Sequence, residues 1–305
     1  MKLIVATCQF PIAADIQKNF KYISKQIKTA NSRGAQVAHF PEGALSGYAN
    51  AEIQTFKGFN WSRLKECTQN ILELAQKYKM WVILGSAHPL TGKHKPHNSL
   101  YIINNKGQLI DRYDKMFCAG APSDKKGELG FYSPGNHFCV FEINGVKCGT
   151  LICHEYRYPE LYRQYKKKGV ELMFHSYNAG HMKPQRLKAL KKDVGEKFLK
   201  INPGTTIPGI TMPTTMHGAA ANNYMWISCS NTSARESCWA SFFLRPDGVM
   251  TGRSKLNTAG VLISEVDTKK KYYDSTVIWR KNAMNGIYHS GKIVKDKRSD
   301  ERSTL

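Results

Sequence analysis

The chain has 305 residues, of which 41% are hydrophobic, and it includes 13 Phe, 15 Tyr and 5 Trp. This composition is typical of a folded globular protein and excludes a largely disordered one. The longest apolar stretches, such as residues 3–8 and 80–84, have the length of a strand and are too short to span a bilayer. The N-terminus lacks the features of a signal peptide, so we expect a cytoplasmic protein with no membrane partner.

The net charge of +22 is high for a chain of this size. It indicates a solvated basic surface, and attraction to an acidic partner or substrate is the alternative. No zinc finger, RRM signature or Gly-rich arginine tract accompanies the charge, which argues against a nucleic-acid partner. The eight cysteines include no C-x-x-C pair, so a disulfide framework or a zinc site is not favoured and we expect no cofactor.

Strand-like and helix-like stretches alternate in the first part of the chain. Phe20, Ile23 and Ile27 repeat at helical spacing and predict a helix over residues 19–33. Leu64 and Ile71 belong to a similar pattern that predicts a second helix. The remaining predicted elements here are strands at 3–10, 36–40 and 81–86 and the second helix at 60–79.

Hairpins follow in the sequence. A turn at residues 105–107 and another at Asn144-Gly145 each join two apolar strands. A helix at 159–168 and a strand at 170–174 come next, whereas residues 178–215, with four prolines, are predicted to be irregular. Three more strand-like stretches complete the pattern, one of them a hairpin that turns at Asp247-Gly248. Many strands with helices between them predict two sheets packed face to face with helices outside.

Three chemically different side chains follow strand ends. Glu42 follows the strand at 36–40, Lys115 follows the second strand of the first hairpin, and Cys153 ends the second hairpin. Ligands commonly bind at the carboxyl ends of strands in open sheets, so we expect these side chains to share a pocket. A carboxylate, an ammonium group and a thiol can act as base, electrostatic stabiliser and nucleophile, and the N–H of His154 can face a developing oxyanion.

The segments "FPE", "YDKMF" and "GTLICHEYRYPE" contain these three residues in order and resemble the signature blocks of the nitrilase superfamily, the carbon–nitrogen hydrolases. Further similarity extends from "LIVATCQF" at the start to "RPDG". The resemblance implies an α+β fold, a four-layer αββα sandwich often paired into homodimers or higher homo-oligomers. It also implies a catalytic triad of Glu42, Lys115 and Cys153, with Glu128 in a supporting role.

The resemblance also implies a domain division and a reaction. Residues 1–275 form the hydrolase domain, and residues 276–305 form a basic extension that contacts a partner subunit or is loosely ordered. Glu42 takes the proton of Cys153, which attacks a small-molecule C–N group and forms a thioester that water then hydrolyses. The segment "RYPE" resembles the amidase and carbamoyl-hydrolase branches, which favours linear amide or N-carbamoyl substrates. Candidates for lining the substrate pocket are Tyr48, Glu155, Arg157, Tyr177 and Asn178.

Several alternatives stay open at this point. A nitrilase or an acyltransferase of the same fold would use the same three residues, and an inactive basic binding protein belongs to a different class. A papain-like protease and a metalloenzyme are disfavoured, because the sequence lacks their characteristic patterns. His154 replaces the Tyr or Trp of many relatives, and it contacts substrate or packs beside the loop. Residues 178–215 form either a lid that favours acidic substrates or a surface insertion.

Overall fold

The computed structural model describes residues 1–49 and 51–303, which form two six-stranded sheets and seven α-helices. The strands are β1 (Lys2–Gln9), β2 (Val37–His39), β3 (Trp81–His88), β4 (His97–Ile103), β5 (Leu109–Asp114), β6 (Val140–Ile143), β7 (Val146–Ile152), β8 (Leu172–Ser176), β9 (Trp226–Ser230), β10 (Phe242–Leu244), β11 (Met250–Arg253) and β12 (Gly260–Asp267). The helices are α1 (Ile16–Ser32), α2 (Trp61–Lys77), α3 (Pro159–Lys167), α4 (Pro184–Val194), α5 (Ile207–Asn223), α6 (Arg280–Met284) and α7 (Lys297–Asp300).

The two sheets have the same internal plan. Their strand orders are β12-β1-β2-β3-β4-β5 and β11-β10-β9-β8-β7-β6. The central pairs β1–β2, β2–β3, β7–β8 and β8–β9 are parallel, and the outer pairs are antiparallel. Parallel neighbours end at the same edge of a sheet, so residues that follow β2 and β3 lie at one edge of the first sheet, and residues that follow β7 and β8 lie at one edge of the second.

Helices cover the outer face of each sheet. Ile23 and Ile27 of α1 and Ile71 of α2 pack with Ala6 and Cys8 of β1 against the first sheet. Helices α3 and α5 pack together, and α5 lies against β9 and β10 of the second sheet. Alternate residues of β1, such as Leu3 and Val5, belong instead to the core shared with the second sheet, as the two-residue period of a strand requires. The predicted αββα sandwich is confirmed.

A buried polar contact connects the two sheets. In β2, the two ring nitrogens of His39 lie 2.8 Å from Ser228 Oγ and 2.9 Å from Ser176 Oγ, and Thr7 Oγ1 lies 2.7 Å from Ser228 Oγ. Burial lowers the pKa of His39 to about 3, so its ring is neutral and has one donor and one acceptor for the two hydroxyls. The contact fixes the position of β2 in the first sheet relative to β8 and β9 in the second sheet.

The sequence patterns predicted most elements within a few residues. Helix α1 begins at Ile16 rather than at residue 19, because the Asp15 side chain caps it by accepting from the N–H of Lys18 at 3.0 Å. The prediction that residues 178–215 are irregular is wrong, since α4 and the first half of α5 lie there. Pro184 and Pro208 occupy first-turn positions, where proline favours a helix.

Helix α5 continues through Pro213, a residue that normally breaks a helix. Met212 and Met216, on either side of it, are fully buried in the core of the second sheet. Tertiary packing therefore outweighs the unfavourable local preference of proline, which a single sequence does not reveal.

The chain after β12 lies largely on the surface. It includes the short helices α6 and α7, and Ile278, Tyr288 and Val294 are 72%, 86% and 73% exposed. Treating residues 276–305 as a separate extension stays a prediction, and its last two residues lie outside the described part of the chain. Within residues 1–49 and 51–303, no helix is long and apolar enough to cross a membrane.

Replacing His39 with Gln should change how stability depends on pH. Below pH 6.5 the unfolded chain takes up a proton that the buried His39 rejects down to a pKa of about 3. The free energy of unfolding should therefore fall with decreasing pH by about 1.4 kcal/mol per pH unit more in the wild type than in the variant. Urea titrations between pH 4 and 8 measure this. If the free energies of unfolding of the two proteins changed in parallel with pH below pH 6, the prediction would be wrong.

Candidate active site

Three strand ends converge on one small region. Glu42 follows β2, Lys115 follows β5 and Cys153 follows β7. Gly85 of β3 allows the backbone of Pro41 and Glu42 to pack closely against β3. A Cβ at this position would lie only 2.0 Å from the carbonyl oxygen of Pro41. The backbone N–H of Glu42 then donates to the carbonyl of Tyr177 at 3.2 Å, which connects the two sheets at the site.

Lys115 lies between two buried carboxylates. Its Nζ is 2.9 Å from Glu42 Oε1 and 2.7 Å from Glu128 Oε1, and the three side chains are 1%, 0% and 4% exposed. Asn98, near the start of β4, donates from Nδ2 to the same two oxygens at 2.7 and 3.2 Å. The second oxygen of Glu128 accepts from the N–H of Ala119. Every buried charge in this group therefore has a charged or polar partner.

The two carboxylates differ in their proton affinity. Burial raises the pKa of Glu42, and the nearby Glu128 adds to the rise while Lys115 opposes it. Burial also acts on Glu128, but Lys115 and the Ala119 N–H outweigh it and lower its pKa. Two carboxylates with opposite shifts have different tasks: Glu128 stays ionised and holds Lys115 charged, whereas Glu42 can take and return a proton.

Cys153 occupies a sharp backbone turn at the end of β7. Its φ of 44° lies in the left-handed region, where a non-glycine residue is strained, and such outliers often mark functional positions. The carbonyl oxygen of Cys153 lies 3.2 Å from Nε2 of the buried His175. This contact stabilises the turn. Cys153 is partly buried at the edge of the core cluster shared by the two sheets.

The thiol and the carboxylates influence one another. Burial and the negative Glu42 raise the pKa of Cys153 well above its ordinary value, while Lys115 and a hydrogen bond from the N–H of Asn178 act in the opposite direction. The resting cysteine is therefore a protonated thiol. A thiol in this state can attack a substrate only if a base takes its proton, and Glu42 is a neighbouring carboxylate whose pKa is raised.

Glu155 is buried beneath the site rather than directed into it. Its Oε1 accepts from Tyr113 Oη at 2.7 Å and from the N–H groups of Met116 and Phe117 at 2.9 and 3.1 Å. Its Oε2 accepts from the N–H of Ile152 at 2.7 Å. Burial raises the pKa of Glu155 to about 7. The carboxylate thus fastens the loop that follows Lys115 to the turn that contains Cys153.

The remaining pocket candidates fall into two groups. Tyr48 lies at the site, with its ring centroid 6.0 Å from Lys115 Nζ and its hydroxyl hydrogen-bonded to Glu128. Asn178 also lies there, and its backbone N–H donates to Glu42 Oε2 at 3.0 Å. The Tyr177 ring instead stacks on His175 in the core, and the exposed Arg157 lies over the Tyr156 ring.

His154 is half-buried next to Cys153. Its Nε2 lies 3.2 Å from the hydroxyl of Tyr158. Burial and the positive charges of Lys115 and Arg157 lower its pKa, so the imidazole is neutral at pH 7. The ring borders the site, and it packs on Tyr158 in an edge-on contact.

Sequence reasoning missed two residues that shape the site. Asn98 bridges the two carboxylates, and Glu52 accepts from the side-chain amide of Asn178 at 3.3 Å. The signal for Asn98 was a polar amide next to the apolar run of β4, which predicts a buried hydrogen-bonding role. In the described residues, no group of three or more His, Cys, Asp and Glu side chains could hold a metal ion.

The carbon–nitrogen hydrolase family model matches residues 4–272 of this sequence. The chain belongs to the carbon–nitrogen hydrolase family. Curated relatives include nitrilase homolog 2 of Dictyostelium discoideum, 27% identical over 52% of this chain and 49% of the relative. Deaminated glutathione amidase of Yersinia enterocolitica is 29% identical over 55% and 60%. An omega-amidase of Xenopus tropicalis is 28% identical over 56% and 62%.

The matched stretches therefore cover about half to two thirds of these relatives' own lengths. Among solved structures, an amidase from Nesterenkonia sp. superimposes with a TM-score of 0.67, at 18% identity over 87% of this chain and 90% of that chain. This member of the carbon–nitrogen hydrolase family thus shares its fold with a nitrilase-superfamily amidase, and its relatives include amidases.

Replacing Glu128 with Gln should shift the acid limb of the pH profile, which is the range where kcat/KM falls as the pH decreases. Glu42 must be ionised to act as a base, and the Glu128 charge raises its pKa. We expect the wild-type limb to lie above the ordinary glutamate value of about 4.3, and the limb of the variant to move to lower pH. The maximal rate should also fall by about a hundredfold, because Lys115 loses a charged partner.

The measurement is kcat/KM against pH for both proteins. Glu66→Gln, on the exposed face of α2, is the matched control and should leave the profile unchanged. An acid limb at the same pH in the wild type and in Glu128→Gln would show that Glu128 does not tune the base.

Proposed function

We propose that this protein is a cysteine hydrolase that converts linear amides, or N-carbamoyl compounds, through a thioester intermediate. The observation that carries the proposal is Lys115 Nζ held between Glu42 and Glu128 at 2.9 and 2.7 Å, beside the strained turn of Cys153. The amidase names of several relatives support the choice of substrate class.

The reaction follows from the proton affinities. Glu42 takes the thiol proton, and the sulfur forms a bond to the carbonyl carbon of the amide. Lys115 and the N–H of His154 stabilise the negative oxygen that results. Glu42 returns the proton to the nitrogen, the C–N bond breaks and ammonia leaves.

Water completes the cycle. Glu42, ionised again, takes a proton from water as the water oxygen attacks the thioester carbon. The C–S bond breaks, the thiol regains a proton and the carboxylic acid leaves. Glu128 keeps Lys115 charged throughout, because its own pKa is lowered by that lysine.

Replacing Cys153 with Ala should reduce turnover by more than about a thousandfold without unfolding the protein, since the proposed nucleophile is lost and only one sulfur atom is removed from the edge of the core. Turnover is measured as ammonia release from four compounds: butyramide, succinamic acid, N-carbamoyl-β-alanine and butyronitrile. The same panel distinguishes amide, carbamoyl and nitrile hydrolysis. Cys67→Ala, a buried cysteine on α2, is the control that should stay active. An active Cys153→Ala protein would refute the proposal.

We also propose that the protein forms a homodimer or a higher homo-oligomer. The chain after β12 exposes several large apolar side chains, among them Val277, Ile278 and Tyr288, and such surfaces are often covered by a partner. Sedimentation velocity should give at least twice the monomer mass, and truncation after residue 275 should lower that mass. A monomer at micromolar concentration would contradict the proposal.

A further inference from the structure

Hydrogen-bond acceptors surround only the Nδ2 end of the Asn178 side-chain amide, and they fix its orientation. Its Nδ2 lies 3.3 Å from both carboxylate oxygens of Glu52 and 3.5 Å from the carbonyl oxygen of Glu42. All of these atoms are acceptors, so the amide must present its NH₂ group to them. The Glu52 carboxylate is itself held by the N–H of Tyr48 at 2.8 Å and by His181 Nε2 at 3.2 Å.

This orientation leaves the carbonyl oxygen of Asn178 without a partner. Asn178 is 8% exposed, and in the described part of the chain no donor reaches its buried Oδ1. A buried acceptor with no donor costs about 1–3 kcal/mol, and most buried polar atoms in proteins are satisfied. An acceptor left open at such a cost requires an explanation.

The position of Asn178 explains why its side-chain oxygen has no partner. Its backbone N–H donates to Glu42 Oε2 at 3.0 Å, and the same N–H lowers the pKa of the Cys153 thiol through a hydrogen bond. Covalent geometry keeps Oδ1 within about 5 Å of that nitrogen. The open acceptor therefore belongs to a residue whose backbone contacts the proposed base, and it lies on the side of the amide opposite the Nδ2 that contacts Glu52.

We propose that Asn178 Oδ1 accepts a hydrogen bond from the nitrogen of the substrate's –CO–NH₂ group, which makes Asn178 a specificity-determining residue. This inference rests on the proposed function and identifies a residue that selects its carboxamide and ureido substrates over nitriles and esters. A nitrile has no N–H to donate, and neither does an ester. A site with a buried polar group rejects substrates that leave this group unsatisfied.

The contact also suits the proton transfer to the leaving group. The nitrogen must turn its lone pair toward Glu42 when it receives the proton, and an acceptor for its N–H bond fixes that rotation. Asn178 thus holds the base through its backbone and the leaving nitrogen through its side chain. The observed and the proposed contact thus come from one residue, two positions after the end of β8.

Replacing Asn178 with Ala tests the proposal, because the variant keeps the backbone N–H that contacts Glu42. We expect kcat/KM for butyramide to fall by about tenfold or more, and kcat/KM for methyl butyrate to change by less than about threefold. The ratio between amide and ester is the readout. Equal losses on both substrates, or no loss on either, would overturn the inference.

Asn223→Ala is the matched control. Asn223 is also a buried asparagine whose Oδ1 has no partner, and its Nδ2 donates to the carbonyl of Ala219 at the end of α5. The two variants should lose similar stability in urea titrations, while only Asn178→Ala changes the amide-to-ester ratio. If Asn223→Ala changed the ratio as much, a general loss of packing would be responsible and the inference would fail.

A crystal structure of Cys153→Ala with butyramide gives a second, independent measurement. The amide nitrogen should lie within about 3.2 Å of Asn178 Oδ1. A nitrogen that contacts other groups would overturn the inference even if Asn178→Ala did not fold. The proposed function has its own test in ammonia release by the unsubstituted protein, so failure of one is distinguishable from failure of the other.

Discussion

The site depends on placing one ammonium group between two carboxylates away from water. Lys115, Glu42 and Glu128 together carry a net negative charge when all are ionised, which is costly to bury unless each has hydrogen-bond partners. Asn98 and the Ala119 N–H supply those partners. Burial is also the main cause that raises the pKa of Glu42 and of the nearby Cys153 thiol, and the neighbouring carboxylates add to the rise. The electrostatic cost and the catalytic capacity thus have the same origin.

Such a charge arrangement needs rigid support from both sheets. Glu155 joins the loop after β5 to the turn after β7, and His39 fixes β2 over β8 and β9. Both groups are buried and hydrogen-bonded on more than one side, so neither can move without leaving an unsatisfied polar atom. The interior polar residues therefore determine the alignment of the strands whose ends carry Glu42, Lys115 and Cys153.

Much of this could be predicted from the sequence. Apolar periodicity and the Asn144-Gly145 turn predicted strands and hairpins, and the positions of Glu42, Lys115 and Cys153 after strands predicted a shared pocket. Side-chain direction was harder to predict. Glu155 is two residues after Cys153 in sequence but points beneath it, and Asn98 joins the site because β4 lies beside β3. Helix α5 depends on tertiary packing that local preferences do not encode.

The left-handed backbone of Cys153 places local stability and catalysis in opposition. Glycine adopts this conformation at little cost, whereas a residue with a Cβ is strained there by about 1 kcal/mol. A glycine at this position would relax the turn and eliminate the nucleophile. The backbone strain at residue 153 is thus tied to the one side chain that the proposed reaction requires.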